Sequence, residues 1–537
     1  TVNPSPTVSF SIPNQTICSG DASTEVTLNS VAGATLSWTA IQPAGITGVL
    51  TSGTNTIPAQ TLANSTNAPI VVTYNATASL ASGATCVGAV FTYTITVKPK
   101  PFIVTPMAVT SCSGVVFTTT PSNGAGNTIP AGTTYSWGSP AVTGGLTGGT
   151  SGINQTSISG TLINPTTSVQ TATYTVIPTV NGCSGLPFDI VVSVNPKPDV
   201  NTAPNVILCA GDSSTQIDFT GSVSGTTYNW TASSTSIGIP ASGTNSIPAF
   251  TAINTGITPL TVTITVSPIA NSCSGSSKTF TITINPKPTV NTITNIVKCS
   301  GTASGNITFT GNVASTTFDW TNDTPSIGLA ASGSGTIASF TTINSGLVPV
   351  TATITVTPKA NGCIGTPKTF TITVNPSPTV DVISNQTVCN GQLTTAIVFS
   401  GGIPNTIYNW TNNSPTIGIG ASGSGDIPAF TAINNGTTPI VATISVTPSL
   451  NGCSGLHKTF TITINPSPAV IFTPTNQTIC SGSSSNVINL SSTATGSTFA
   501  WTAVQPVGIT GVILSGTNTI PVQTLTNSTN LPIIVTY

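Results

Sequence analysis

The sequence predicts an all-β chain, a tandem array of small two-layer sandwich domains. Three observations predict it. Segments such as residues 439–447 and 458–464 alternate β-branched residues with threonine in period two, the pattern of a strand with one buried face. No segment carries a helical period. Six tryptophans recur at near-constant spacing, one to each stretch of about 90 residues.

Composition excludes several functions. The 537 residues include nine Lys+Arg, all lysine, ten Asp+Glu and one His, for a net charge of -1. Charged residues make up 4% of the chain, against roughly 25% in an ordinary soluble protein. No basic field exists to attract phosphate backbones, so no nucleic-acid partner is expected. Scattered acids and a single histidine leave little for acid–base catalysis, and no catalytic residue is assigned. Disorder is excluded by the abundance of Thr, Val and Ile. Mean hydropathy is +0.31, yet no run reaches the 18 or more apolar residues of a spanning helix, and no membrane insertion of this segment is expected.

The tryptophans are Trp38, Trp137, Trp230, Trp320, Trp410 and Trp501, spaced by 99, 93, 90, 90 and 91 residues. A Pro-x-Pro element keeps the same beat, as in Lys98-Pro99-Lys100-Pro101 and Val194-Asn195-Pro196-Lys197-Pro198. The boundaries that follow are 1–6 for the end of a preceding repeat, then repeats at 7–101, 102–198, 199–288, 289–378 and 379–468. A sixth repeat, 469–537, is cut short. A longer period lies above this one: residues 38–74 and 501–537 align without a gap and share 29 of 37 residues. The chain therefore reads as a window into a longer array, extended by duplicating blocks of five.

Within repeat 5, strands are expected at 379–388, 395–400, 406–410 and 427–433, followed by the two clear ones at 439–447 and 458–464. A Gly/Ser stretch occupies 418–425, and Asn435-Gly436 and Asn451-Gly452 are turn signals. Roughly seven strands in about 90 residues is the size of an immunoglobulin-like sandwich. Each tryptophan is expected on a central strand, packed over the core.

Eleven cysteines become intelligible once placed in repeats. Cys18 and Cys86, Cys112 and Cys183, Cys209 and Cys273, Cys299 and Cys363, and Cys389 and Cys453 fall one pair to each complete repeat. Cys480 is left without a mate, which the repeat spacing puts near position 549, outside the chain. No repeat has the four clustered ligands of a zinc site, nor a base to activate a thiol. The expectation is a disulfide within each repeat, with free thiols as the alternative, and hence an oxidising, extracellular setting. Both cysteines of a pair lie at strand edges, which leaves open whether they share one end of the sandwich.

These motifs resemble a known family. Cys-Ser-Gly or Cys-Asn-Gly, a Trp about 20 residues later, Asn-Gly-Cys-x-Gly and a closing Thr-Ile-Thr-Val-Asn-Pro-x-Pro are similar to the PKD-like and Ig-like repeats of Bacteroidota surface proteins. Those include giant gliding-motility adhesins exported by type IX secretion. The resemblance implies a surface-attached filament protein and an export route of that kind.

Other candidates have plainer readings. His457 aligns with Ser277 and Pro367 and occupies an ordinary turn position. Asp21 and Asp212 share a place after Cys-x-Gly, but the acids do not cluster as calcium requires, and no metal or cofactor is assigned. Gly418-Ile419-Gly420-Ala421-Ser422-Gly423 matches a dinucleotide-binding pattern without the helix that motif needs. Tyr74, Tyr135, Tyr174, Tyr228, Tyr408 and Tyr537 are too unevenly placed to define a sugar-binding face. The expected function is a structural stalk or filament segment of a surface adhesin, bearing load. Its partners are its own neighbouring repeats, with self-association into bundles left unopposed by charge. A string of carbohydrate-binding modules is the alternative.

Overall fold

The computed structural model describes residues 4–82 and 84–537; Thr1, Val2 and Asn3 of the opening segment lie outside the described residues. The chain divides into two compact units, one ending at Pro286 and one beginning at Lys287. Among the described residues the fold is all β, interrupted only by the short 3-10 turns Pro325–Ile327 and Pro415–Ile417. Each repeat has its own apolar cluster.

The third repeat, in the first unit, shows the plan. Its central strand, Leu260–Ala270, buries Val262, Ile264 and Val266 and turns the intervening threonines outward. The closing strand, Lys278–Asn285, runs antiparallel beside it, with Val262 opposite Ile282 and Ile264 opposite Phe280. Each of these side chains contributes about 1.5–3 kcal/mol when fully buried. Alternation alone thus commits both strands to one face. On the other side of the centre lies Thr227–Ala232, which carries Trp230, followed by the edge strand Ser242–Thr244. The opposite edge is Val206–Cys209, parallel to the closing strand.

The second layer is a three-stranded sheet in the first, second and sixth repeats and thin in the others. In the third repeat it has a two-residue pairing, Ile217–Asp218 with Ser246–Ile247. In the fourth and fifth repeats it shrinks to the single bridges Ile307–Ile337 and Ile397–Ile427. The strands expected at 395–400 and 427–433 therefore do not form as regular elements. Pro428 lacks the N–H needed to extend the bridge at Ile427. Of 379–388, only Gln386–Cys389 is a strand. The Gly/Ser stretch contains a strand instead, Ser422–Ser424, paired with the Trp410 strand.

The second unit repeats the plan. The segments expected at 439–447 and 458–464 are the strands Ile440–Leu450 and Lys458–Asn465, in antiparallel register. Asn451 and Gly452 both have positive φ, 49° and 79°, as a two-residue hairpin turn requires. Asn435-Gly436 is not such a turn. It lies in a loop held by the side chain of Asn434, whose Nδ2 donates to the carbonyls of Thr438 at 2.9 Å and Ile464 at 2.7 Å.

Candidate functional site: the joint between repeats

Each repeat has two poles, and strand register assigns each cysteine to one of them. Cys209 lies opposite Asn285, the last residue of the closing strand. Cys273 lies opposite Ala270, the last residue of the central strand. Those two strands are antiparallel, so the cysteines sit at opposite ends of an eleven-residue strand. At ~3.3 Å per residue that is roughly 33 Å, and a disulfide tolerates at most about 7 Å between Cα atoms. The expected pairings within a repeat, Cys18–Cys86, Cys112–Cys183, Cys209–Cys273, Cys299–Cys363 and Cys389–Cys453, are all overturned.

The bonds cross the joints instead. Cys18 of the first repeat is bonded to Cys183 of the second, with Cα atoms 5.6 Å apart. Cys112 of the second is bonded to Cys273 of the third, also at 5.6 Å. In the second unit, Cys299 is bonded to Cys453 at 5.5 Å. Cys209 and Cys363 are disulfide-bonded as well. Cys86, Cys389 and Cys480 are free thiols, the last two exposed. In the Cys18–Cys183, Cys112–Cys273 and Cys299–Cys453 bonds, the first cysteine is at the exit pole of one repeat and the second is on the entry-pole hairpin of the next.

Polar contacts close the same joint. Asn195, in the Asn-Pro-x-Pro element, is buried and donates from Nδ2 to the Asn271 carbonyl in the next repeat's hairpin turn, at 3.4 Å. Asn375 does the same to Asn451, at 3.4 Å. Where the first repeat has lysine instead, Lys98 Nζ reaches the Asn181 carbonyl at 3.0 Å. Lys100, one residue before Pro101, is ion-paired with Asp21.

A glycine fits each hairpin to the linker. A Cβ on Gly275 would lie 1.9 Å from the Pro198 carbonyl oxygen, and one on Gly455 would lie 1.7 Å from that of Pro378. No L side chain fits there, because the obstacle is backbone. This explains the Gly of Cys-x-Gly after the second cysteine.

A buried asparagine anchors the loop that leads to the exit pole. Asn254 Nδ2 donates to Thr258 and to Ile284, the residue before the end of the closing strand, at 2.9 and 2.8 Å. Its Oδ1 accepts from Gly256 N–H at 2.9 Å. Asn64, Asn164, Asn344 and Asn434 make the equivalent bonds. Sequence reasoning missed these residues. Each is an Asn followed two places later by Thr or Gly at the same place in its repeat, a pattern that also occurs elsewhere in every repeat and so does not single these residues out.

All six tryptophans are buried, between 1% exposed for Trp230 and 8% for Trp410. Five lie on the strand beside the central one, Trp501 lies on Ala500–Thr502 paired with Ser515–Thr517, and each is set against a glycine; a Cβ on Gly243 would come within 2.7 Å of the Trp230 ring. Gly423 faces Trp410 in the same way, which gives the final glycine of the dinucleotide-like pattern a packing role. Trp230 Nε1 donates to the Ser246 carbonyl at 2.9 Å, while Trp320 and Trp410 bury an indole N–H with no partner.

Electrostatics is sparse throughout. Burial pushes the Tyr74 phenol up to about 12. The Ser222 backbone N–H and hydroxyl, both donating to Asp199, hold that carboxyl below its usual range. Among the described residues no group of three or more His, Cys, Asp or Glu could hold a metal. His457 is exposed.

A family model described as a PKD-like domain matches residues 15–101, 109–198, 207–288 and 297–378. No curated protein matches the chain. Among solved structures, immunoglobulin domains 1–5 of Sidekick-1 are similar at 12% identity, over 87% of this chain and 100% of that one, with a TM-score of 0.24. The Protocadherin GammaB4 extracellular domain is similar at 12% identity, over 85% of this chain and 84% of that one, with a TM-score of 0.27. The human Desmocollin-1 ectodomain is similar at 12% identity, over 80% and 94% of the two chains, with a TM-score of 0.23. The four family matches together span more than half of the sequence, and the chain belongs to the PKD-like domain family.

Proposed function

We propose that this chain is a structural segment of an extracellular surface adhesin, a load-bearing spacer whose repeats divide at 101, 198, 288, 378 and 468. The observation that carries the proposal is the joint. The joints closed by Cys18–Cys183, Cys112–Cys273 and Cys299–Cys453 each also have a hydrogen bond to the next hairpin turn and a glycine packed on the linker carbonyl. A chain whose repeats acted as separate modules would have no need of such closure. The disulfides place the protein in an oxidising, extracellular setting. Among the described residues no helix is long and apolar enough to cross a membrane. Descent from Bacteroidota gliding-type adhesins and type IX export rest on the motif resemblance alone.

The alternative, a string of carbohydrate-binding modules, is disfavoured by the aromatic side chains. The six tryptophans and Tyr74, Tyr135, Tyr174, Tyr228 and Tyr408 are all buried, so none can serve as a stacking platform. Two measurements on the intact chain test the proposal. Solution scattering should give a maximum dimension of roughly 200–250 Å, as six repeats of ~35–45 Å in line require. Glycan-array binding should be absent. A collapsed particle, or specific glycan binding, would refute the spacer role.

A further inference from the structure

We infer that the cross-joint disulfides take the first two repeats out of the load path, so that either can unfold under tension without lengthening the chain. The inference builds on the load-bearing role and concerns how length answers to force. Its basis is the covalent path, which differs from the sequence. From residue 7, eleven residues lead to Cys18. The bond there crosses to Cys183, and sixteen residues more reach Asp199, where the third repeat begins. At ~3.5 Å per residue this path is about 95 Å long even when fully extended. Two folded repeats already span roughly 70–90 Å. With both unfolded, the chain gains almost nothing.

The second repeat is bypassed twice. Besides the route through Cys18–Cys183, eleven residues run from Pro101 to Cys112, which is bonded to Cys273 on the third repeat. Each route is short enough by itself. The first repeat depends on Cys18–Cys183 alone, because Cys86 is a free thiol. Force favours an unfolded state by the product of force and added length. Where no length is added, tension does no work on the transition. The repeats then keep their unloaded stability while the two bonds carry the pull.

Single-molecule stretching of the full 537-residue chain, held at its two ends under oxidising conditions, tests this. An unbridged repeat of about 95 residues would give a contour step near 300 Å. The oxidised chain should show no such step from the first two repeats. The double substitution Cys18→Ser with Cys183→Ser should add one step, from the first repeat, because the second stays bypassed. Adding Cys112→Ser and Cys273→Ser should release the second. If the first pair of substitutions releases both steps at once, or if the oxidised wild type already shows them, the bypass is wrong while the spacer role stands. Should the variants fail to fold, reductant added to the wild type must produce new steps near 300 Å. Their absence would also overturn the inference.

Discussion

The core and the joint of a repeat are held by opposite means. The core of the third repeat is local and apolar. Leu260, Val262 and Ile264 lie opposite Ile284, Ile282 and Phe280 in a register that lies wholly within residues 199–288. The joint is polar, covalent and shared, and half of its parts belong to the next repeat. The difference teaches that folding information is local in this chain whereas its cross-linking is not. A repeat holds the partners of its own strands but cannot close its own disulfides.

The largest test of that contrast is removal of one bond. A loop of 165 residues closed by Cys18–Cys183 is worth ~5 kcal/mol in the chain-entropy model. If the bond belongs to a joint, Cys18→Ser with Cys183→Ser should lower hydrogen-exchange protection in both the first and second repeats. The fifth repeat should keep its protection. Loss confined to a single repeat would assign the bond to a core.

Glycines sharpen the comparison. Gly243→Ala presses on the Trp230 ring, a side chain with some room to shift, and should cost about 1–3 kcal/mol. Gly275→Ala meets the Pro198 carbonyl at 1.9 Å, and backbone at a joint cannot move without moving a repeat. Its loss in thermal stability should be the larger of the two. Equal losses would mean that the joint yields as readily as the core.

Sequence patterns made the core legible and left the joint obscure, for a physical reason. Period-two alternation states which face of a strand is buried, so Ile440–Leu450 and Lys458–Asn465 could be read directly. It does not state which pole a residue near a strand end occupies. That depends on register and strand direction, and the parallel edge strand ending at Cys389 reverses the intuitive assignment. One signal was present. From the second cysteine of a repeat to the first of the next is 26 residues at 86–112, 183–209, 273–299 and 363–389 and 27 at 453–480, while the spacing within repeats varies from 64 to 71. The near-constant stretch is the closing strand, the linker and the next edge strand. The thin second layer of the fifth repeat was overread because isolated apolar residues such as Ile397 and Ile427 make one bridge and no ladder.

The cores themselves differ in how they respond to pH. Tyr74 in the first repeat is pushed up to about 12 by burial, whereas the fourth repeat has no tyrosine and places Phe318 on its tryptophan strand. A phenol whose folded pKa lies above its unfolded value of ~10 contributes stability fully below pH 10. That contribution is lost as pH rises through 10 towards 12. Alkaline unfolding of the first repeat should therefore shift to higher pH in Tyr74→Phe, followed by tyrosinate absorbance. An unchanged midpoint would show that Tyr74 ionises as readily in the folded repeat as in the opened one.

The smallest effect compares two tryptophans. Trp230→Phe forfeits a hydrogen bond to the Ser246 carbonyl, worth about 0.5–1.5 kcal/mol. Trp320→Phe removes an unpaired buried N–H and should cost less. Paired thermal melts of the two variants would show the order, and a reversed order would mean that packing outweighs the hydrogen bond.

Disulfide mapping tests the central claim most directly. The intact chain, alkylated and digested without reduction, should yield peptides joining Cys18 to Cys183, Cys112 to Cys273 and Cys299 to Cys453, with alkylated Cys86 and Cys389. Peptides joining Cys112 to Cys183, or Cys389 to Cys453, would return each bond to its own repeat and contradict the account.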